Sequence, residues 1–378
     1  MKSVVIAGYA RSPFTRAKKG KLAKVRPDEI AAQVVRGLVR GSGVKAQDIE
    51  DVILGCAFPE AEQGLNLGRI VGFLAGLPLA AGGVTVNRFC GSSMQAVHMA
   101  AGAVQMDAGD VFVCGGVESM SRVPMPGFNF LPHPGLCQSF PQAYISMGQT
   151  AENLARRYDI PRADQERFAL ASHQKAAAAR ASGSGLSEIV PIEHDGEKIA
   201  DDDCLRPETN LEALAKLEPV FDRAGVVTAG TAAPLADGAA AVLVCSEDYA
   251  RKNDLEMLAR IKGVAVSGCD PAVMGIGPVS ASQKALARAG LVLDQIDIVE
   301  LNEAFAVQVL ACVRELQIPP EKLNLEGGAL ALGHPLGASG ARITGKAAAL
   351  LKKHGARYAL AAMCIGGGQG IATVLEAV

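Results

Sequence analysis

Three glycine-rich segments of this chain hold side chains able to do acyl chemistry. They are Asn87-Arg88-Phe89-Cys90-Gly91-Ser92-Ser93, Gly333-His334-Pro335 and Cys364-Ile365-Gly366-Gly367-Gly368. Glycine lets backbone N–H groups approach a ligand closely and adopt positive φ, so a Cys or His in such a turn can share space with a substrate carbonyl. Two thiols and one imidazole in this setting point to acyl transfer through a thiolate. Cys90 follows an apolar run (Val84, Val86) and precedes a helix starting near Ser92 or Ser93. There it faces unpaired N–H groups and the positive end of the helix dipole, which favour thiolate; the alternative is a buried structural thiol.

His334 is one of six histidines, and an imidazole is the usual base for a thiol nucleophile; a merely exposed loop histidine is the plainer reading. Cys364 ends an apolar strand and runs into Gly366, Gly367, Gly368 and Gly370. Their N–H groups could cradle an oxyanion, a role often worth roughly 2.7–4 kcal/mol of barrier. The same residues predict a tight hairpin between strands 358–365 and 371–376. Asn302, before Glu303-Ala304-Phe305-Ala306, offers an amide to a carbonyl oxygen or caps a helix beginning there. Cys56, Cys114, Cys137, Cys204, Cys245, Cys269 and Cys312 read as structural or incidental. His98, His133, His173, His194 and His354 read as surface or core.

These side chains need a frame, and 378 residues exceed one ordinary core. A hydrophobic content of 49% with only 4% aromatics favours packed α/β layers over an aromatic-rich β fold. A net charge of −2 without a basic tract argues against non-specific nucleic-acid or membrane-surface binding. Nine cysteines, an odd number with no C-x-x-C pair, argue against a disulfide framework or zinc site and for reduced thiols in a cytoplasmic enzyme. Val4–Gly8 is too short for a signal peptide and reads as a first strand; no run reaches transmembrane length.

A faint internal repeat organises the chain. Residues 28–54 read as a helix capped by Asp28 with Ile30, Val34, Val35 and Leu38 on one face, a Gly43 stop and a strand Val52-Ile53-Leu54. Residues 280–301 repeat the pattern with Gly290 as the stop and Ile298–Leu301 as the strand. In both copies a glycine-rich turn then leads into a helix (92–106 and 338–353), and a strand ends in Cys114-Gly115-Gly116 or Cys364-Ile365-Gly366-Gly367. This alternation implies mixed, mostly parallel sheets covered by helices, the copies meeting through their central helices. Between them residues 118–234 break the pattern with a Pro/Gly/Met-rich stretch, helices from Thr150 and Arg162, and the acidic loop Asp201-Asp202-Asp203. Such an excursion is usually a lid or binding subdomain. The division expected is 1–117 for an N-terminal half, 118–234 for the loop domain, 235–250 for a return to the first half and 251–378 for a C-terminal half.

Together these segments resemble the thiolase family. NRFCGSSMQA, the NEAF box at Asn302–Phe305, GGALALGHPLGASGARI and MCIGGGQG match in order and spacing over essentially the whole chain. The resemblance implies a five-layered αβαβα fold of duplicated mixed-sheet halves, with the insert as the loop domain that holds coenzyme A. It implies thiolytic cleavage of 3-oxoacyl-CoA, with Cys90 as nucleophile, His334 activating it and Cys364 as acid/base at the substrate α-carbon. Asn302 (through a water) and His334 would form one oxyanion hole, and the N–H groups of Cys90 and Gly366 the other. Arg206 would lie near the nucleotide end of CoA, and Met147, Phe221, Ala229, Met274 and Phe305 along the pantetheine arm or acyl pocket. No metal or bound cofactor is implied; CoA is a substrate. The family forms homodimers or homotetramers, some with a hydratase/dehydrogenase partner subunit.

Ser146 stands where acetoacetyl-CoA specialists typically have His, which leans towards the degradative, broader-chain branch. Three positions depart from the family pattern. Ala233, beside Pro234, and Ala213 replace common CoA-side serines; a lost hydrogen bond of this kind costs about 0.5–1.5 kcal/mol. Glu326 stands where Asn is usual and is expected to raise the His334 pKa or to pair with Arg342. The rival readings are an acetoacetyl-CoA-specific thiolase and a catalytically weak acyl-CoA-binding relative. A decarboxylating condensing enzyme on the same fold generally uses two histidines, or His and Asn, beside its Cys; Cys364 argues against it.

Overall fold

The computed structural model describes residues 2–378. Its strands are β1 (Val4–Arg11), β2 (Thr15–Arg16), β3 (Asp51–Gly55), β4 (Gly82–Val86), β5 (Val111–Ser119), β6 (Ile192–His194), β7 (Glu197–Ile199), β8 (Ala236–Ser246), β9 (Ala259–Gly268), β10 (Ile298–Leu301), β11 (Tyr358–Ile365) and β12 (Gln369–Glu376). All but β6 and β7, which pair as a separate hairpin, join one sheet in the order β10-β11-β12-β9-β1-β8-β5-β3-β4, with β2 on β8. The seam between β1 and β9 is only two residue pairs long, Val5↔Arg260 and Ile6↔Ala259. The sheet is therefore two half-sheets touching at an edge.

The halves share one wiring. In the first, β3 runs parallel to β5, β5 antiparallel to β8, and β8 antiparallel to β1. In the second, β10 runs parallel to β11, β11 antiparallel to β12, and β12 antiparallel to β9. A parallel bridge from Val299 to Leu323 stands where the first half has its edge strand β4. The expectation of mostly parallel sheets is thus corrected. Strands β8 and β12 return as hairpin-like neighbours, and among the described strands only β3–β4, β3–β5 and β10–β11 pair in parallel.

Strand alternation assigns side chains to layers. Along β5, Val111 and Val113 face the outer helices Pro27–Ser42 and Leu67–Leu74, while Phe112 and Cys114 face the centre. Along β11, Leu360 and Ala362 face the outer helices Gly277–Ala289 and Ala306–Leu316, while Ala359, Ala361 and Met363 face inward. The helices Ser92–Gln105 and Leu336–His354 fill the centre, packed on each other and on both half-sheets. Their contact is close because Gly340 has no side chain: a Cβ there would stand 2.4 Å from the Met94 amide nitrogen. The result is the αβαβα stack.

Two local expectations are also corrected. The first helix starts two residues earlier, with Arg26 at its N-cap and Pro27 at its first position, so Asp28 lies inside it and pairs with Arg26 at 2.6 Å. Pro fits there because its missing N–H would be unpaired in any case. The helix after Asn302 starts only at Ala306, so Asn302 is not a cap and its side chain is free for other work. Two residues of the acidic loop are anchored on the first strands. Asp202 receives both terminal nitrogens of buried Arg11, at 2.8 and 2.9 Å, and Asp203 receives the Arg16 N–H at 2.6 Å. The inserted segment is thereby fastened to β1 and β2.

Candidate active site

Strand β4 ends at Val86 and the first central helix begins at Ser92, leaving five residues to reverse the chain. The reversal places Phe89 at φ 42°. For a bulky residue that conformation costs about 1–3 kcal/mol and persists only where its surroundings over-determine it. They do so here: the Phe89 N–H donates to Asn87 Oδ1 at 2.9 Å, and its carbonyl accepts from Ser92 Oγ at 2.6 Å. Ser92 Oγ also accepts from the Arg88 N–H at 2.9 Å, and Arg88 itself is tied to Gln95 and Gln369. The Phe89 ring leans on Phe58 at 6.0 Å between centroids. Cys90 is thus carried on a rigid turn at the mouth of a helix.

The Cys90 thiol is buried, which pushes its pKa up to about 11. The N–H groups of Gly366 and of Cys90 itself act in the opposite direction by pointing at the sulfur, and the Glu118 charge adds a little to the rise. The helix terminus alone therefore does not make a resting thiolate, contrary to the reading from position alone: burial outweighs it. A base is required.

His334 sits between the short helix Ala329–Leu332 and the second central helix. Gly333, at φ 96°, makes the turn, and a Cβ there would press to 2.8 Å from Ala236 Cβ. The imidazole is 6% exposed, and burial with the nearby Arg342 charge lowers its pKa to about 3, so it rests neutral. Its tautomer follows from its partners. Ser339 Oγ lies 3.0 Å from the Pro335 carbonyl and 2.6 Å from Nδ1; with its proton on the carbonyl it accepts from Nδ1–H. Nε2 is left with its lone pair, facing Asn302 Nδ2 at 3.4 Å. Among the described residues, Asn302 Oδ1 is buried without a hydrogen-bond partner.

Cys364 lies at the end of β11, fully buried, and burial with the neighbouring Cys90 raises its pKa well above the usual thiol value. The hairpin expected after it is present, β11 pairing antiparallel with β12 through Gly367 and Gly368 at positive φ. The segments converge here. Gly366 reaches Cys90 through its N–H, a Cβ on Gly91 would stand 2.6 Å from Ile365, and the Asn302 N–H donates to Ala362 O at 3.0 Å.

Four of the residues expected near the pantetheine arm share one wall. Phe305 and Met274 are buried in one apolar cluster with Cys364, Met147 packs against it, and Phe221 meets Phe305 edge to face at 5.9 Å. Gly148 allows this, since a Cβ there would overlap the Phe221 ring. The Ala233 N–H is spent on Ala304 O at 3.0 Å, and Pro234 O accepts the His334 N–H at 3.2 Å. Arg206 and Ala229 lie exposed, the Arg206 N–H donating to His173 Nδ1 at 3.2 Å. Ala213 caps nothing itself; its N–H is held by Asn210 at 2.9 Å.

The expectation for Glu326 is overturned. Its carboxylate accepts from Ser184, Lys346 and Lys353, and although burial pushes its pKa up, the two lysines hold it down to about 2. Arg342 pairs instead with buried Glu300 at 3.1 Å. Glu326 fastens the 182–188 segment to the second central helix and does not act on His334. Ser339 and Glu118 were not singled out from sequence. Ser339 stands five residues after His334 in a helix start that gave it no distinguishing mark, and the Glu118 partners come from distant segments.

The family model for the thiolase N-terminal domain matches residues 4–248 and that for the thiolase C-terminal domain residues 255–377. A protein named 3-ketoacyl-CoA thiolase from Shewanella sp. (strain MR-4) is 50% identical over the full length of both chains. Its counterpart from Shewanella oneidensis is 49% identical, again over both full lengths. The crystal structure of human mitochondrial 3-ketoacyl-CoA thiolase in complex with CoA superposes with a TM-score of 0.93 at 38% identity, covering 100% of this chain and 98% of that one.

Proposed function

The chain belongs to the thiolase family, and from that membership we propose that Cys90, His334 and Cys364 divide its two half-reactions among them. The activity is CoA-dependent thiolytic cleavage of a 3-oxoacyl-CoA to acetyl-CoA and a shortened acyl-CoA, with Claisen condensation as its reverse. Cys90 gives its proton to His334 Nε2 and its sulfur attacks the ketone carbon. The oxyanion that forms on that carbon is held by the N–H groups of Cys90 and Gly366, while the new Nε2–H and Asn302 (through a water) face the thioester oxygen onto which the charge at C2 spreads. The C2–C3 bond breaks, its electron pair passes to C2, and Cys364 protonates that carbon so that acetyl-CoA leaves. The Cys364 thiolate then takes the proton of incoming CoA, whose sulfur attacks the acyl group on Cys90. The N–H groups of Gly366 and Cys90 stabilise this second oxyanion, and Cys90 departs as thiolate to recover its proton from His334.

The observation that carries this reading is the protonation pattern. A thiol that burial keeps protonated is paired, in this reading, with a neutral imidazole whose Nδ1 is engaged by Ser339 and whose Nε2, facing Asn302, is the nitrogen left to take a proton. A nucleophile with a high pKa is strongly nucleophilic once deprotonated, so the pair suits attack on a ketone. CoA lies along the wall of Met147, Phe221, Met274 and Phe305, with Arg206, Ala229 and Ala233 further along its arm. The Ser146 hydroxyl, accepting from the Gln149 N–H at 3.4 Å as a helix cap, leaves room for acyl groups longer than acetoacetyl.

The nine unpaired thiols fit a reducing cytoplasm. Exposed Phe73, Leu79, Met99 and Met106 near the edge strand β4 favour a homodimer or a homotetramer built from it. The hydratase/dehydrogenase that makes a 3-oxoacyl-CoA is the fitting partner subunit. The test is loss of absorbance of a magnesium-complexed 3-oxoacyl-CoA on adding CoA, surveyed over acyl length. Turnover beyond acetoacetyl-CoA is expected. Turnover of acetoacetyl-CoA alone would support the specialist, and none at any length a binding protein.

A further inference from the structure

Two buried carboxylates bracket His334, and neither enters the chemistry above. Glu118, 1% exposed at the end of β5, accepts on Oε2 from the N–H groups of Gly337 (2.9 Å) and Ala57 (2.8 Å). On Oε1 it accepts from Gln63 Nε2 (2.8 Å) and the Phe58 N–H (3.2 Å). Glu303, also 1% exposed, accepts on Oε2 from Ser172 Oγ (2.7 Å) and the Leu330 N–H (3.1 Å), and on Oε1 from Asn324 Nδ2 (2.7 Å). Every partner is a donor. Burial raises the pKa of both groups, while surroundings made only of donors favour the ionised form, because a protonated carboxyl would bring a hydrogen with nothing to receive it.

Their targets are placed on either side of the imidazole. Leu330 precedes His334 by four residues and Gly337 follows it by three. Glu303 holds the upstream point from the C-terminal half and, through Ser172, from the helix Arg162–Ala181 of the insert. Glu118 holds the downstream point from the N-terminal half, the half that carries Cys90. It also fixes the Ala57–Phe58 backbone, and Phe58 supports the Phe89 ring beside Cys90. Nothing can be interposed at Gly337, where a Cβ would meet Val117 O at 2.6 Å and Glu118 Oε2 at 2.9 Å. The turn through Gly333 and Pro335 is thus a short span with both ends tied by charge-assisted hydrogen bonds, the strong kind.

We propose that Glu118 and Glu303 are positioning residues that fix the His334 imidazole relative to Cys90 by anchoring the backbone on both sides of it. The inference rests on the reading of Cys90 as nucleophile and His334 as its base. A glutamine in either place supplies one acceptor oxygen where two are needed, and at position 118 its amide would face backbone N–H groups.

The experiment is steady-state kinetics of Glu118→Gln and Glu303→Gln, normalised to the amount of Cys90 that acetyl-CoA can acylate. The expected result is a full complement of acylatable Cys90, unchanged KM for CoA, and kcat per acylatable site down about 10²-fold, the usual cost of misplacing a reacting group by an ångström. Alkylation by iodoacetamide at a pH where Cys90 is already thiolate should be unaffected, since it needs no base. If either protein is insoluble, Gln63→Ala and Ser172→Ala each remove one donor and should give a smaller fall in kcat per site. Unchanged kcat per site, with only the acylatable fraction reduced, would overturn the inference and leave the carboxylates as folding elements. An unmodified enzyme without any acylatable Cys90 would refute the underlying reading instead.

Discussion

Removing the base should expose the intrinsic acidity of Cys90. In His334→Ala the thiol must ionise unaided, and with a pKa of about 11 its thiolate is scarce at neutral pH. At pH 7.5 the deficit is roughly 5 kcal/mol, from about 1.36 kcal/mol per pH unit. A positioned base usually contributes about 10²–10⁴-fold, so acylation by acetyl-CoA in the variant should fall by that factor. Its rate should then climb about tenfold per pH unit and level off only near the thiol's own pKa. The unmodified enzyme should be far flatter, because its proton moves internally to Nε2. Rapid-mixing measurement of CoA release from acetyl-CoA, from pH 6.5 to 10, reads both curves. Folding sets the upper limit: a thiol whose pKa is raised on folding adds stability below its unfolded value, and that stability is lost as pH rises towards the folded one. A variant that acylates at the unmodified rate at pH 7, or levels off near an ordinary thiol value, would refute the reasoning.

Ser339→Ala removes the acceptor of Nδ1–H and frees the imidazole to choose its tautomer. It should lower kcat about tenfold, the worth of one hydrogen bond near 1.4 kcal/mol, and leave KM for CoA unmoved in steady-state assays. Gly340→Ala places a Cβ 2.4 Å from the Met94 amide nitrogen and should cost about 1–3 kcal/mol in urea unfolding as the central helices part; an unchanged midpoint would mean that they separate freely. His98, half-buried and hydrogen-bonded to Thr373, has its pKa lowered by loss of solvent to about 3. Stability from it is full above the unfolded value near 6.5 and is lost as pH falls towards 3. His98→Gln should therefore shrink the difference in unfolding free energy between pH 7 and pH 5 by about 2 kcal/mol, measured by denaturant titration at both values.

What could be read from sequence was local or repetitive. The duplication showed because each half repeats helix, glycine stop, strand and glycine-rich turn. The nucleophile turn, the histidine turn and the closing hairpin showed because glycine marks sites of close backbone approach. Strand direction did not show. β8 and β12 are apolar on both faces, and such a run is compatible with parallel or antiparallel pairing. The thiol's resting state was misjudged because a helix terminus is visible in sequence and burial is not. Glu326 was misassigned for a related reason: its neighbours in sequence point to His334, while its neighbours in space are Lys346 and Lys353. Glu118 and Glu303 escaped notice since a buried carboxylate is recognisable only once the donors around it, drawn from three separate stretches of chain in each case, are seen together.

The claim on which the account depends most is that the acyl group resides on Cys90 between the two half-reactions. Brief incubation with acetyl-CoA, acid quenching and peptide mass spectrometry tests it directly. The account predicts an acetyl group on the peptide carrying Cys90, absent in Cys90→Ser, removed by added CoA and retained in Cys364→Ala. Acetyl label on Cys364 instead, or full thiolysis by Cys90→Ser, would contradict it.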